Sequence, residues 1–193
     1  VIGMWLAQQC RYTWRDQGRE YTWDELTQAA SEAEPFRSLI DVDDLSFLPP
    51  GDMPTRIRDF CRAKGEPIPE TVGQVMRSVY ESLALKYRYI LDSMAEVSGQ
   101  PINRLHVIGG GSRNNLLNQM TADAIRRPVV AGPAEATALG NAIVQLIALG
   151  RIASVQQARE MLSRTAETRT FESHNDAAWG RAYERYRSMA GLN

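Results

Sequence analysis

Three consecutive glycines, Gly109, Gly110 and Gly111, followed by Ser112 and Asn114, are the residues of this chain best suited to hold a ligand. They close a short apolar run, Leu105 to Ile108, and precede a segment of helical spacing from Leu116 to Ile125, which reads as strand, glycine turn, helix. Glycine accepts a positive φ at no steric cost and lacks the Cβ that would hold a ligand off the backbone. The free N–H groups of the following helix would face the same place, with Ser112 or Asn114 as a cap or polar contact. A nucleotide could lie against such a loop. A tight strand-to-helix turn with no ligand would need the same residues, so the turn alone leaves both readings open.

Other chemistries fit less well. A dinucleotide-binding turn reads G-x-G-x-x-G and is followed about 20 residues on by an acidic residue for the ribose. Here that region is the apolar Val129-Val130. The Gly-Lys-Ser or Gly-Lys-Thr of a Walker loop is absent. Cys10 and Cys61 are far apart in helical patterns and read as reduced thiols, and neither His106 nor His174 stands at a metal-ligand spacing with them. Asp41, Asp43 and Asp44 lack the Gly and distal Glu of a calcium loop and read as a solvated turn. Asp123 lies in a helix two turns past the glycines and reads as structural. No catalytic residue and no metal ligand is assigned.

The elements that position the turn follow from periodicity. Val1 to Trp14 reads as a helix with Trp5, Leu6 and Cys10 inward, and Thr22-Trp23-Asp24-Glu25 as a capping box opening a helix to about Ala33. From Glu34 to Pro54 the density of apolar side chains predicts an ordered loop, with a short strand at Ser38 to Ile40. A helix begins at Asp52-Met53-Pro54 and ends at Gly65. Thr71-Val72-Gly73-Gln74 is a second capping box, before a long helix from Val72 to Val97 whose apolar stripe makes it the support beneath the glycine strand. Beyond the turn come a strand at Val129 to Ala131 and a helix from Glu135 to Leu149, in which Ala136 and Gly140 would permit close approach to a neighbouring backbone. Helices at Val155 to Ser163 and Asn175 to Met189 complete the chain. Strand, helix, strand, helix is the order of a parallel α/β unit, yet two strands cannot supply a good core. Further strands are expected upstream of Val1, where the chain opens in mid-helix without a methionine, as a piece of a longer protein would.

With 22 Lys+Arg against 23 Asp+Glu and no basic block, a large nucleic-acid surface is disfavoured. No apolar run approaches the roughly 18 residues of a membrane span, and a cytoplasmic location is expected.

The run from His106 through Gly109-Gly110-Gly111-Ser112-Arg113-Asn114 to Gln119 and Ala122-Asp123, then Pro128-Val129-Val130, then Glu135-Ala136-Thr137-Ala138-Leu139-Gly140-Asn141, resembles the adenosine-binding segment of the FGGY carbohydrate kinases. These belong to the superfamily of actin, hexokinase and the heat-shock ATPases. The segments Gly3 to Gln8, Phe36 to Asp41, Pro50 to Pro54 and Glu81 to Tyr87 narrow the resemblance to the branch that acts on L-rhamnulose. It implies an α/β fold, part of an actin-like, ribonuclease H-like ATPase lobe, predominantly helical with few strands. The whole of residues 1–193 would then be the C-terminal nucleotide-binding lobe of a sugar kinase.

The implied activity is transfer of the ATP γ-phosphoryl group to the C1 hydroxyl of L-rhamnulose, with Mg²⁺. Fuculose, xylulose or a related polyol is the alternative substrate, and a non-catalytic sensing protein is the alternative class. The implied partners are ATP and a small sugar, with no nucleic acid, no membrane and an open oligomeric state. Gly109, Gly110, Gly111 and Ser112 would lie against the nucleotide near adenine and the α-phosphate, Asn114 would add a polar contact, and Gln8 a second from a different element. The catalytic aspartate and the Asp-x-Gly-Thr phosphate segment of the family lie before the region represented here, so the piece alone is expected to be inactive.

Overall fold

A computed structural model describes residues 3–165, 167–174 and 176–192. Eight α-helices and three short strands are present among them, with short 3₁₀ turns at Leu45–Phe47 and Gly109–Arg113: α1 (Trp5–Asp16), α2 (Trp23–Glu32), α3 (Met53–Lys64), α4 (Val72–Ser98), β1 (Leu105–Val107), α5 (Asn115–Ile125), β2 (Val129–Ala131), α6 (Ala136–Ala148), α7 (Val155–Thr165), β3 (Arg169–Phe171) and α8 (Ala177–Ala190). The fold is α/β and mostly helical. No helix among the described residues is long and apolar enough to cross a membrane.

The 27-residue α4 carries the structure. Its capping box forms as expected: Thr71 accepts from the Gln74 N–H, and Gln74 reaches back to the Thr71 N–H. Gly99 stops it in the left-handed conformation. An amphipathic stripe was expected, but from Ser78 to Lys86 every residue is buried, so the helix is wrapped on all sides there. Burying a side chain such as Val79, Leu83 or Leu85 contributes about 1.5–3 kcal/mol. Most polar members of that stretch have a partner that offsets burial, whereas the buried Tyr80 hydroxyl has no hydrogen-bond partner among the described residues. Ser82 accepts from the Ile40 N–H, Glu81 bonds Arg77 and the Phe36 N–H, and Lys86 meets Asp41 and Asp43 at 3.6 and 3.2 Å.

Those contacts correct two expectations. Asp41 and Asp43 do not form a merely solvated turn, because they neutralise a lysine that packing has removed from water. Ser38 to Ile40 forms no strand, because its backbone bonds side chains where a ladder would need another strand: Leu39 N–H donates to Glu66 and Ile40 N–H to Ser82. The rest of that loop is ordered as expected, with Val42 and Phe47 buried.

α2 and α5 lie against α4 on separate flanks. The approach of α2 is so close that a Cβ on Gly73 would overlap the Ala29 carbonyl oxygen. α1 begins at Trp5, with Leu6 and Cys10 buried and the Trp5 indole donating to the Phe47 carbonyl; Val1 and Ile2 of the expected helix lie outside the described residues. The thiols of Cys10 and Cys61 are free and buried, and burial pushes Cys61 up to about 12 and Cys10 higher. α8 closes over α4 with Tyr186 buried, and Asn175, where this helix was expected to start, is likewise outside the described residues.

β1 pairs parallel to β2, Leu105 opposite Val129, and β2 pairs antiparallel to β3, Val129 opposite Phe171. α5 crosses between the parallel strands and packs Ala122 and Ile125 onto Val129, Ala131 and Phe171. The sequence did not announce β3, whose three residues show one buried side chain and no alternation. No backbone approaches Gly140 among the described residues: nothing lies within 4 Å of where its Cβ would stand, and none of the residues of the Ala-, Ile- and Leu-rich α6 is buried.

Burial pushes the Glu81 carboxyl up to about 7 from its ordinary value of 4.5, against the pull of Arg77 and Arg185. The folded protein therefore keeps a proton that the unfolded chain releases between these values, and stability falls as pH rises through that window. The contribution amounts to about 3 kcal/mol. Denaturant unfolding of wild type and Glu81→Gln from pH 4.5 to 7.5 is expected to show wild type losing that much relative to the variant. Parallel pH curves would contradict it.

Candidate functional site

The turn after β1 is held from within. Gly109 sits at φ +75, where other residues are strained, and its N–H donates to the Pro133 carbonyl at 3.1 Å. The Ser112 hydroxyl donates to the Gly109 carbonyl at 2.7 Å, and the Asn118 amide donates to the Ser112 carbonyl at 3.0 Å. Asn114 caps α5, its Oδ1 accepting from the Leu117 N–H at 2.9 Å. A loop so tied is shaped before any ligand arrives, which lowers the ordering cost of binding.

One side of this turn faces a cleft of about 540 Å³. Gly110, Gly111, Arg113 and Asn114 form one wall, and Met4 and Gln8 of the α1 region close one end. The opposite wall is α2, which contributes Trp23, Asp24 and Thr27. Tyr80 of α4 lies near Thr27 and Asn114: burial raises the pKa of its phenol, an effect those two side chains oppose, and its hydroxyl makes no geometrically sound hydrogen bond among the described residues. The cleft shares Met4 and Gly111 with a smaller apolar cavity of about 380 Å³ bounded by Tyr87, Leu105 and Leu117. Amide, carboxylate, hydroxyl and guanidinium groups beside apolar surface suit a ligand with both a flat apolar part and several hydrogen-bonding groups.

Four of the six residues singled out in the sequence therefore meet: Gly110, Gly111 and Asn114 from the turn, and Gln8 from an element about 100 residues earlier. Gln8 is exposed, and among the described residues its amide has no hydrogen-bond partner. Gly109 and Ser112 are not on the cleft wall. Gly109 makes the bend, and Ser112 braces it while facing a second cleft, of about 640 Å³, on the other side of the turn beside Gly132, Glu135 and Arg169.

Gly110 is distinct. It does not occupy the positive-φ region, and a Cβ there would meet nothing within 4 Å. Among the described residues, neither backbone conformation nor packing requires a glycine at that position, whereas a ligand against the backbone would.

Asp123 lies away from this cleft. Its Oδ1 accepts from the His174 N–H at 2.7 Å and from the Gln119 amide at 3.2 Å, which anchors the segment after β3 to α5. Sequence reasoning missed the α2 wall. It identified Thr22 and Glu25 correctly as the capping box that starts α2, yet nothing local shows which face of that helix meets a turn some 85 residues later.

Solved structures define the class of this fold. The chain superposes on xylulose kinase from Rhodospirillum rubrum with a TM-score of 0.63 at 21% identity, covering 98% of this chain and 37% of that one. It matches Plasmodium falciparum glycerol kinase with ADP equally well, at 16% identity over 96% of this chain and 36% of that one. The model of the FGGY family of carbohydrate kinases, C-terminal domain, matches residues 1–149, and the chain belongs to that family. Among its relatives, a rhamnulokinase of Bacteroides thetaiotaomicron is 47% identical over 188 residues, covering 97% of this chain and 38% of that protein. A rhamnulokinase of Bacillus subtilis is 34% identical over 171 residues, covering 89% and 35%. The chain thus spans less than two-fifths of the length of these relatives.

Replacing Asn114 with Ala removes the α5 cap at a cost of about 1 kcal/mol, whereas Asp restores the acceptor. Thermal unfolding is expected to show Asn114→Ala melting roughly 2–4 °C lower and Asn114→Asp close to wild type. Equal melting of the two variants would show that the cap contributes nothing.

Proposed function

We propose that this chain is the adenosine-binding part of an ATP-dependent sugar kinase, one that transfers the γ-phosphoryl group of ATP to the C1 hydroxyl of L-rhamnulose. The observation that carries the reading is the placement of Gly110, which no contact among the described residues requires to be a glycine, in a cleft that also gathers Gln8 and Asn114. The carbohydrate-kinase family of the chain and the name rhamnulokinase borne by two relatives support the kinase reading and the choice of sugar.

In this reading the nucleoside lies between α2 and the glycine turn, with Gly110 admitting it to the backbone. The amides of Gln8 and Asn114 offer it both donors and acceptors. Phosphoryl transfer also needs groups around the β- and γ-phosphates, Mg²⁺ to neutralise developing charge, and a carboxylate to take the proton of the sugar hydroxyl. We assign those to parts of the longer protein outside residues 1–193, and no residue here is assigned to the metal. The outer edge of β1 and the bare apolar side of α6 would be covered by that remainder, including the strands expected upstream. Closing this lobe against a partner lobe would exclude water that could otherwise accept the phosphoryl group.

Two measurements on the full-length protein test this. Gly110→Val places a branched side chain where the nucleotide would lie, and the KM for ATP is expected to rise by about tenfold or more, a change of about 1.4 kcal/mol. An unchanged ATP dependence would mean that the turn is only structural. A substrate panel is expected to favour L-rhamnulose over fuculose, xylulose and glycerol; preference for another sugar would correct the substrate, and no phosphorylation of any would contradict the enzymatic reading.

A further inference from the structure

The α2 wall of the cleft has to stand at a fixed place along α4, and most of what joins the two helices does not fix that place. Leu26 and Ala30 of α2 are buried against α4 and its neighbours by non-directional apolar contact, and the close seat of Ala29 on Gly73 limits sliding at one point without a hydrogen bond. Directional bonds are concentrated on one side chain. The Nη1 of Arg77 donates to the carbonyls of Ala30, Ser31 and Ala33 at 3.1, 3.0 and 2.9 Å, which are acceptors at the open C-terminal end of α2. Its Nε donates to Glu81 Oε1 at 2.7 Å, and Glu81 Oε2 accepts from the Phe36 N–H at 2.9 Å. The Arg77 side chain is 13% exposed and that of Glu81 1%, so neither bond is weakened by water as a surface pair would be.

We infer that Arg77 is a positioning residue for the nucleotide cleft: by fastening the end of α2 to α4, it sets where Trp23, Asp24 and Thr27 stand opposite Gly110 and Asn114. Thr27 is one turn before the fastened carbonyls, on a helix of only 10 residues, so a shift at Ala30 to Ala33 is carried to the cleft wall. Arg77, Tyr80 and Glu81 share a face of α4 by their spacing of three and four. Tyr80 is close enough to Thr27 and Asn114 for both to act on its phenol, so a residue near the cleft walls neighbours the residues that fix α2. The planar fork of arginine can meet Glu81 and the carbonyls at once, and a lysine ammonium can meet only some of them.

The inference rests on the nucleotide reading of the cleft, and the test separates the two. Steady-state kinetics of the full-length protein would compare wild type with Arg77→Met, Arg77→Lys, Gly110→Val and Ser82→Ala. Ser82→Ala removes a buried hydrogen bond of α4 to Ile40, away from α2, and serves as the control for general loosening. Arg77→Met is expected to raise the KM for ATP about tenfold, with the KM for sugar within about twofold of wild type. Arg77→Lys should recover part of the loss and covers the case in which the methionine variant does not fold. Ser82→Ala should melt lower with its ATP KM unchanged.

Wild-type ATP KM in both Arg77 variants, beside a raised value in Gly110→Val, would overturn the positioning role while leaving the cleft intact. An ATP KM raised as much by Ser82→Ala as by Arg77→Met would assign the effect to loosening and overturn it too. If Gly110→Val has no effect, the nucleotide reading fails and the inference fails with it.

Discussion

The all-round burial of α4 from Ser78 to Lys86 is the constraint on which the rest of the structure depends. A helix that carries α2 on one flank and α5 on another sets the distance between whatever those two helices present at their ends. α5 presents the glycine turn, through the Asn114 cap and the Asn118 amide, and α2 presents Trp23, Asp24 and Thr27. The cleft is therefore a property of the helical layer. The three short strands hold β1 at the entrance to the turn and supply little further.

The same constraint explains the polar residues inside the helical layer. Glu81, Ser82 and Lys86 would each be costly if buried without partners. Each instead secures a different segment to α4: the Phe36 backbone, the Ile40 backbone, and the Asp41 and Asp43 carboxylates. Through them the long loop between α2 and α3, which has no regular strand of its own, acquires a fixed path. α8 adds to this from outside, with Arg185 donating to the Phe36 carbonyl and pairing with Glu66, which itself accepts from the Leu39 N–H.

What could be read from the sequence was whatever is decided locally. Both capping boxes, the glycine stops of α3 and α4, the long helix, the glycine turn and the two parallel strands depend on residues within a few positions of one another. What depends on distant partners was not legible. The polar burial in α4, the pairing of Lys86 with the acidic loop and the pairing of β3 with β2 are set by neighbours far along the chain. α6 shows the converse: its apolar composition predicts burial, yet none of its residues is buried. For the candidate site, the turn residues were evident from type and spacing, Gln8 from family resemblance, and the α2 wall from neither.

The central claim is that the nucleotide occupies the side of the glycine turn that faces Gln8 and α2. Its most direct test is a crystal structure of the full-length protein with a non-hydrolysable ATP analogue. The account predicts the nucleoside against the Gly110 backbone, within hydrogen-bonding reach of the Gln8 and Asn114 amides. A nucleoside in the cleft on the opposite side of the turn, beside Gly132 and Arg169, or one making no contact with the turn at all, would contradict it.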